Sequence, residues 1–177
     1  MYYDINSADY IATPSFVIPN TGILTMGFWI NSKYVVGFHQ AIMGDPFWST
    51  TVGYFRINRQ TNSHTFNFQY SNGVSSLTVA TESFFTNLND TWIHIAIICD
   101  YNNGTFKVYR NGVQVGATTN LTGTPLFPSS NMAKYIGSYT VGGQVLTDQS
   151  LDEVRIYNRG LSADEVSRIY NSTKSRY

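Results

Sequence analysis

Short turn signals recur along the whole chain and limit its fold more than any other feature. They stand about 8 to 15 residues apart, as "PNTG", "MGDP", "SNG", "NLND", "YNNG", "RNG", "LTGTP" and "VGG", and no long helical periodicity interrupts them. Strands separated by such turns pair as antiparallel sheets, whereas parallel strands need long crossovers between them. The sequence therefore predicts an all-β, antiparallel β-sandwich.

The segments between the turns have the two-residue periodicity of half-buried strands. In "ILTMGFWINS" every second residue from Leu24 to Ile30 is apolar, and "TFNFQY" alternates aromatic with polar residues. The stretch "WIHIAIICD" is apolar on both faces, which predicts a central strand covered on both sides. Aromatic residues that follow this alternation are expected to be core residues, namely Phe28, Phe66, Phe68, Trp92 and Phe106.

A tight hairpin is predicted in "TFKVYRNGVQVG". Asn111 and Gly112 are the pair that a type I′ turn favours, because both of its central positions need positive φ angles. The preceding "DYNNG", from Asp100 to Gly104, begins like a calcium-binding loop but lacks the later bidentate glutamate. We therefore interpret it as a hairpin connection.

The C-terminal stretch "LDEVRIYNRGLSADEVSRIYNS" runs from strand-like alternation into a helical pattern. Ser162 and Glu165 have the spacing of a capping box, and Leu161 and Val166 are placed as the hydrophobic staple around it. The sequence thus predicts a last strand followed by a short helix, which we expect to close one end of the sandwich.

The charge balance excludes some classes of partner. The 177 residues include 11 basic and 11 acidic side chains, and the pI is near 6.8. This composition lacks the basic footprint of a nucleic-acid-binding protein. No signal-peptide pattern opens the chain and no run of about 18 apolar residues occurs, so membrane insertion is not predicted either. The length suits a single domain, residues 1–177.

Five motifs occur in a specific order along the chain. They are "ADYIATPSF", "LTMGFWIN", "TWIHIAIICDYNNGTFKVYRNGVQVG", "KYIGSY" and "LDEVRIYNRGLSADEV". This set resembles the laminin-G-like domains of the concanavalin A-like lectin/glucanase superfamily, over essentially the whole chain. The resemblance implies a two-sheet jelly-roll. The superfamily includes carbohydrate-binding modules, protein-adhesion modules and glucanases, so the fold alone does not decide the function.

The acidic residues do not favour glucanase chemistry. Retaining glycosidases need two carboxylates about 5 to 5.5 Å apart, which the relatives supply as E-x-D-x-x-E on one strand. Neither Glu82 nor Glu153 begins such a ladder. Asp152 and Glu153 would point to opposite faces of a strand, and Asp164 belongs with Glu165 in the first turn of a helix. We therefore predict that the protein is not an enzyme.

Other reactive side chains favour structural roles. Cys99 lies within the apolar run "IHIAIIC", without a basic neighbour to activate its thiol, and is expected in the core. His94 follows Trp92 by two residues, and we expect a buried ring that is hydrogen-bonded within the sandwich. His39 and His64 lie near loops and have no recognisable nucleophile beside them.

Structural calcium is an open alternative, and no other cofactor is predicted. Many relatives hold a calcium ion, which needs six to eight oxygen ligands. Asp9 and Asp152 form the best candidate metal pair, because their segments match the first and last strands of the family, which would be neighbours where the sheet closes.

Aromatic residues in loops are the best candidates for ligand binding. The stretches "KYVVGFHQAIMGDPFWSTTVGYFRIN" and "SYTVGGQVLTDQ" place rings beside loops, near Asn, Gln and Asp side chains. Flat rings stack on sugar C–H faces while amides bond hydroxyl groups. For any single ring, packing back as a loop anchor is the alternative. The candidate ligand-binding residues are Tyr34, His39, Asp45, Phe47, Trp48 and Tyr139.

Together these patterns predict a non-catalytic binding or adhesion module that binds a glycan on a virion or cell surface. The same surface, rich in aromatic residues and poor in charge, also suits a surface protein as partner. The alternative is therefore a phage virion structural protein, a capsid decoration or fibre component, whose partner is another subunit. Homo-oligomeric or virion assembly would follow from that alternative, and both interpretations imply an extracellular surface or virion location.

Overall fold

The computed structural model describes residues 2–3, 11–13, 21–33, 40–44, 55–60, 63–71, 76–121, 135–137 and 149–177. Within these ranges the chain forms thirteen β-strands, one α-helix and one short 3₁₀ helix. The strands are β1 (Tyr2–Tyr3), β2 (Ile11–Ala12), β3 (Ile23–Ser32), β4 (Gln40–Gly44), β5 (Phe55–Arg59), β6 (Phe66–Ser71), β7 (Ser76–Thr81), β8 (Trp92–Asp100), β9 (Thr105–Arg110), β10 (Val113–Gln114), β11 (Thr119–Asn120), β12 (Tyr135–Ile136) and β13 (Gln149–Tyr157). The helices are α1 (Ala163–Thr173) and the 3₁₀ helix Lys174–Arg176.

The strands form two antiparallel sheets. One is a seven-stranded sheet in the order β1-β13-β3-β8-β9-β10, with β11 also paired to β9. The other is a six-stranded sheet in the order β2-β12-β4-β5-β6-β7. Pairs such as β13 with β3 join distant parts of the chain, as in a jelly-roll. The predicted two-sheet antiparallel sandwich with a short C-terminal helix is confirmed.

The two sheets enclose one large apolar core. Phe68 from the six-stranded sheet and Phe106 from the seven-stranded sheet meet across it, with ring centroids 5.3 Å apart. Burial of each such side chain stabilises the fold by roughly 1.5 to 3 kcal/mol. Cys99 is fully buried in this core, and burial raises the pKa of its thiol, so its predicted structural role is confirmed.

The central strands β3 and β8 are covered on both faces, as predicted for β8. They pair over nine residues, from Ile23 opposite Asp100 to Asn31 opposite Trp92. One face belongs to the main core, and the other face is also largely buried. The expectation that Trp92 is a core residue is wrong, because the register turns it to this outer face, where it is half-buried.

Both predicted turns beside β9 are confirmed. Asn111 and Gly112 have φ angles of 51° and 81°, which are the positive values of a type I′ turn. At the other end of β9, the Asp100 carboxylate accepts hydrogen bonds from the backbone N–H and the side-chain amide of Asn103, at 2.9 and 2.7 Å. The "DYNNG" segment is therefore a hairpin connection.

The start of α1 is fixed by the predicted capping box. Ser162 Oγ accepts a hydrogen bond from the Glu165 N–H at 3.2 Å, and the Glu165 carboxylate accepts one from the Ser162 N–H at 2.8 Å. The Arg159 guanidinium donates to both oxygens of the same carboxylate, at 3.0 and 2.8 Å. These hydrogen bonds, of which those from Arg159 have the largest effect, lower the pKa of Glu165 to about 2.

In the described part of the chain, no helix is long and apolar enough to cross a membrane.

The helix lies on the outer face of the seven-stranded sheet, so the expectation that it closes one end of the sandwich is wrong. The outer faces of β8 and β9 present Ala96, Ile98 and Tyr109, and this apolar strip needs a cover. Leu161 and Val166, the predicted staple residues, pack against it. Amphipathicity alone could not choose between the two locations.

We expect Ser162→Ala to lower the free energy of unfolding by about 0.5 to 2 kcal/mol, because it leaves the Glu165 N–H without its side-chain acceptor. Chemical denaturation would measure this change. Ser172→Ala on the same helix is the matched control, since its exposed hydroxyl only donates to the Ile169 carbonyl. An equal effect of the two substitutions would contradict a specific role of the cap.

Candidate functional site

Most of the residues predicted from the sequence to form a site lie outside the described residues. These are Tyr34, His39, Asp45, Phe47, Trp48, Tyr139 and Asp9. Their roles in ligand or metal binding stay predictions. Asp152 lies within the described residues, on β13.

Two rows of side chains cross the outer face of the six-stranded sheet. Strand register aligns Ala41, Asn58, Asn67 and Ala80 in one row, and Gly44, Arg56, Gln69 and Thr78 in the other. Intervening residues such as Ile57 and Phe68 belong to the core. Because side chains alternate along a strand, both rows point away from the core. We name the polar members of these rows the amide patch: Arg56, Asn58, Asn67, Gln69 and Thr78.

Gln69 is the centre of the hydrogen bonding in the amide patch. Its Oε1 accepts hydrogen bonds from Arg56 Nε and from Asn58 Nδ2, the latter at 3.4 Å. Its Nε2 donates to Thr78 Oγ1 at 3.1 Å. These contacts use both ends of the Gln69 carboxamide and fix its orientation across three neighbouring strands.

Asn58 and Asn67 each keep an unused acceptor. Their side chains are 2% and 6% exposed, and among the described residues the Oδ1 atom of each has no hydrogen-bond partner. The two residues stand directly opposite each other on β5 and β6, which places their Cβ atoms about 4.5 to 5.5 Å apart. A buried carbonyl without a donor costs about 1 to 3 kcal/mol. Two such oxygens side by side are therefore a place where a hydrogen-bond donor would be bound favourably.

The amide patch becomes more accessible toward the edge strand β7. Thr78 and Ala80 on β7 are exposed, whereas Asn67 on β6 and Asn58 on β5 are buried. Ala41, opposite Asn58 on β4, is fully buried. The row from Ala41 to Ala80 is therefore exposed at β7 and buried at Ala41, Asn58 and Asn67.

A glycine separates the amide patch from an aromatic ring. Gly44 lies between Arg56 on β5 and Tyr135 on β12. A Cβ atom at Gly44 would lie 2.5 Å from the Arg56 Cβ, so only glycine fits without a shift. Tyr135 shares the outer face, because its neighbour Ile136 packs toward the core. This face thus combines a ring, amides, a guanidinium and a hydroxyl.

The outer face of the seven-stranded sheet is covered by α1 and holds His94. The imidazole is 3% exposed, with its centroid 5.4 Å from the Trp29 ring and 6.3 Å from the Tyr170 ring of the helix. The expected burial of the ring is confirmed. The expected hydrogen bonding within the sandwich is wrong, because the ring lies between sheet and helix and its Nδ1 has no hydrogen-bond partner among the described residues. Burial, and then the nearby Arg155 guanidinium, lowers the pKa of His94 to about 4.

Asp152 and Glu153 hold the C-terminal residues against this sheet. Asp152 accepts hydrogen bonds from the Glu153 N–H and from the Tyr177 hydroxyl, both at 2.7 Å, and the latter lowers the pKa of Asp152. Glu153 forms ion pairs with Arg155 and Arg176. A β-bulge shifts the register between Asp152 and Arg155, and Glu153 has a φ of 52°. Regular alternation of the acidic pair, as expected from sequence, is therefore interrupted.

Metal binding has no preformed centre in the described part of the chain. No group of three or more His, Cys, Asp or Glu side chains there is arranged to hold an ion. The pair of Asp9 with Asp152 stays a prediction, because Asp9 lies outside the described residues.

The comparison with protein families identifies the class. A laminin-G-like family, described as the concanavalin A-like lectin/glucanases superfamily, matches residues 6–167, and the chain belongs to this family. The resemblance noted from the sequence motifs is thereby confirmed, and the fold is that of lectin-like binding domains. The comparison with curated proteins gives no match.

Several solved structures share the fold. The binding domain of botulinum neurotoxin serotype D superposes with a TM-score of 0.70 at 12% identity, covering 94% of this chain and 41% of that chain. The serotype G binding domain gives 0.66 at 14% identity, covering 98% and 40%. Botulinum neurotoxin type C, whose cell entry depends upon interaction with two ganglioside molecules, gives 0.63 at 15% identity, covering 86% and 36%. The chain thus spans about two fifths of these chains, and at such identities the likeness shows the fold alone.

The amide patch is a site that the sequence indicates only weakly. Asn67 and Gln69 alternate with aromatic residues in "TFNFQY", as polar residues do on any half-buried strand. Asn58 likewise belongs to an alternation of polar with apolar residues, in "FRIN". Only the register of β5 against β6 brings Asn58 and Asn67 together, and only burial makes their free oxygens significant.

For the loop candidates, we expect Trp48→Ala to weaken ligand binding by about 1 kcal/mol or more and to leave the fold intact, because truncating an exposed anchor removes contact area without opening a core cavity. In the sequence Trp48 follows "GDPF", where Gly44 and Pro46 break the strand pattern, so we predict an indole that is less tied to strand alternation than that of Trp29. Calorimetric titration and a thermal melt would measure the two effects. Unfolding of the variant, or normal binding, would refute the assignment.

Proposed function

We propose that this protein is a non-catalytic glycan-binding module and that the amide patch is its sugar-binding surface. The observation that carries the proposal is the pair of buried, unpaired carbonyl oxygens on Asn58 and Asn67. Membership of a lectin-like family and the ganglioside interaction of a structural neighbour support the same class of ligand. The proposal includes a place on a cell or virion surface, where glycans are encountered.

The ligand chemistry follows from the unused groups. A carbonyl oxygen accepts a hydrogen bond and donates none, so Asn58 and Asn67 favour a ligand that brings hydroxyl or amino hydrogens. A carboxylate aimed at the same two oxygens would be repelled. Tyr135 stands next to Gly44 in the strand register, so an aromatic residue of the kind that stacks on sugar faces borders the amide patch. The amide pair therefore suits neutral or amino sugars better than acidic ones.

Structural roles for the acidic side chains support binding without catalysis. Glu82 accepts the Thr65 hydroxyl at 2.7 Å, Glu153 is paired with two arginines, and Glu165 is held by Arg159 and the helix cap. A general acid must be free to donate a proton to the leaving group, and a nucleophile must be free to attack. The positions of these carboxylates are already fixed by contacts within the fold.

Assembly with other subunits is the second candidate function. Among the described strands, β7 is the last in its sheet and carries the exposed residues Thr78 and Ala80, and the backbone groups of an edge strand can pair with another strand. A glycan array combined with light scattering separates the candidates. Reproducible sugar binding by a monomer supports the module, whereas a blank array with ordered self-assembly supports the virion alternative.

We expect Asn67→Ala to lower affinity for an array-identified neutral glycan about five- to tenfold, the loss of one hydrogen bond of about 1 to 1.5 kcal/mol. The same substitution should leave the free energy of unfolding unchanged or slightly raised, because it removes an unpaired buried carbonyl. Calorimetric titration and chemical denaturation would measure both quantities. Weaker binding without destabilisation would distinguish a ligand-contacting residue from a structural one.

The matched control is Asn171→Ala, which removes an asparagine from α1 on the opposite side of the sandwich. Its side chain donates to the Ser167 carbonyl at 2.9 Å. Glycan affinity should not change in this variant. Normal binding by Asn67→Ala and by Asn58→Ala would exclude the amide patch, even if the array had shown a glycan ligand.

A further inference from the structure

We infer that the C-terminal helix is an acid-released cover of the seven-stranded sheet: protonation of His94 detaches α1 and the residues after it, while the two-sheet sandwich stays folded. The inference goes beyond the proposed function and does not depend on it, because the amide patch lies on the other sheet.

The contacts of α1 form an apolar cluster apart from the main core. Leu161 and Val166 pack against Ala96, Ile98 and Tyr109 on the outer face of the sheet. The main core lies on the opposite face of the same strands. Loss of the smaller cluster therefore leaves the larger one intact, which is the condition for local opening without global unfolding.

The far end of the cover is held by a tryptophan and by polar contacts. Tyr177 stacks on Trp29 with centroids 4.2 Å apart, and Trp29 Nε1 donates to Thr173 Oγ1 at 3.0 Å. The ion pair of Arg176 with Glu153 lies at the surface. Exposed ion pairs contribute little to stability. The cover is thus held mainly by ring stacking and by the small apolar cluster.

His94 lies under this cover, where its Nδ1 atom is buried without a hydrogen-bond partner among the described residues. A cavity of about 10 Å³ lies beside its ring, at the lower limit for a single water molecule. An imidazolium has two N–H donors, yet Nδ1 faces no acceptor among the described residues. A charge placed there would be desolvated and only partly hydrogen-bonded, which is costly.

The charged groups that face His94 from β13 do not offset this cost. Arg155 and Glu153 line the same cavity, together with Tyr157. Glu153 attracts an imidazolium, but it is already paired with Arg155 and with Arg176 from the cover. The electrostatic effect of Arg155 on His94 exceeds that of Glu153 and opposes protonation.

The other elements around His94 bring no carboxylate within the described residues. From the cover, Tyr170 contributes a ring, with Lys174 Nζ 5.5 Å from its centroid. From β3, Trp29 contributes a ring and Gly27 a bare backbone. Detachment of the cover is therefore the direct way to expose a protonated His94 to water.

The direction of the pH effect follows from proton binding. The pKa of His94 falls from its ordinary value of 6.5 to about 4 under the cover. The detached form would bind a proton near 6.5, so between these values it holds more protons than the closed form. The closed form is fully favoured above 6.5 and loses stability as the pH falls toward 4. The difference between the two pKa values limits the increase in the opening equilibrium, relative to pH values well above 6.5, to roughly 300-fold at low pH. Near pH 4.5 the increase is about 80-fold.

Hydrogen exchange measured by mass spectrometry near pH 7 and pH 4.5 tests the inference. After correction for the intrinsic pH dependence of exchange, protection of residues 163–173 should fall by up to about 60-fold between these two pH values. Protection of β6, residues 66–71, should not fall with it. Tryptophan emission should shift to longer wavelength over the same range, because Trp29 and Trp92 lose the Tyr177 ring that covers them.

His94→Gln is the decisive variant, because it keeps a polar side chain and removes the titrating ring. Its helix protection should not depend on pH in this range. His64→Gln is the matched control, since His64 contacts Arg59 in the other sheet. It should respond to acid as the natural chain does. Glu165, with a pKa near 2, stays ionised and the helix cap stays intact throughout.

Three results would overturn the inference. One is an equal acid response in His94→Gln and in the natural chain. Another needs no variant: an NMR titration in which the His94 imidazole of the natural chain titrates near 6.5 while the helix signals stay unchanged. Loss of protection in β6 together with α1 would count against it as well, because the opening would then be global.

Discussion

The pairing of β3 with β8 is the constraint on which the rest of the structure depends. Its nine-residue register turns Met26, Phe28, Ile95 and Ile97 to one face, and a second set of apolar and aromatic side chains to the other. A sheet that is apolar on both faces must be covered twice, since exposed apolar patches are costly in water. The six-stranded sheet provides one cover and the C-terminal helix provides the other. The helix therefore covers a face that the strand sequence makes apolar, while the main core on the opposite face belongs to the two sheets.

The two sheets differ because only the seven-stranded one is apolar on its outer face. Across β5 and β6, the outer face carries amides and a guanidinium that bond to one another through Gln69. A polar network of this kind is stable at a surface when its members are satisfied, and it leaves a favourable binding position where they are not. Asn58 and Asn67 fall in the second category. The binding surface can therefore lie on one sheet while the other sheet anchors the helix.

Features that depend on neighbouring residues could be predicted from the sequence, whereas features that depend on contacts between distant residues could not. The capping box at Ser162 and the turn at Asn111 involve residues within a few positions of each other, so their geometry is readable directly. The side of the sandwich that α1 covers depends on contacts between residues far apart in the chain, and the orientation of Trp92 depends on which of two apolar faces becomes the core. The amide patch depends on register in the same way. The predicted binding residues such as Trp48 lie outside the described residues, so their predicted role stays a prediction.

Buried polar atoms without partners are the part of this structure that stability alone does not explain. Asn58, Asn67 and His94 all point away from the main core, and each keeps a buried polar atom without a hydrogen-bond partner among the described residues. Each therefore costs free energy that the sandwich did not need to lose. Under the proposed function a bound hydroxyl group would recover that cost for the asparagines, and in the inferred acid response a change of protonation state would use it for the histidine. The same feature, a buried hydrogen-bonding group without a partner, thus supports the proposed ligand site on the six-stranded sheet and the inferred acid response on the seven-stranded sheet.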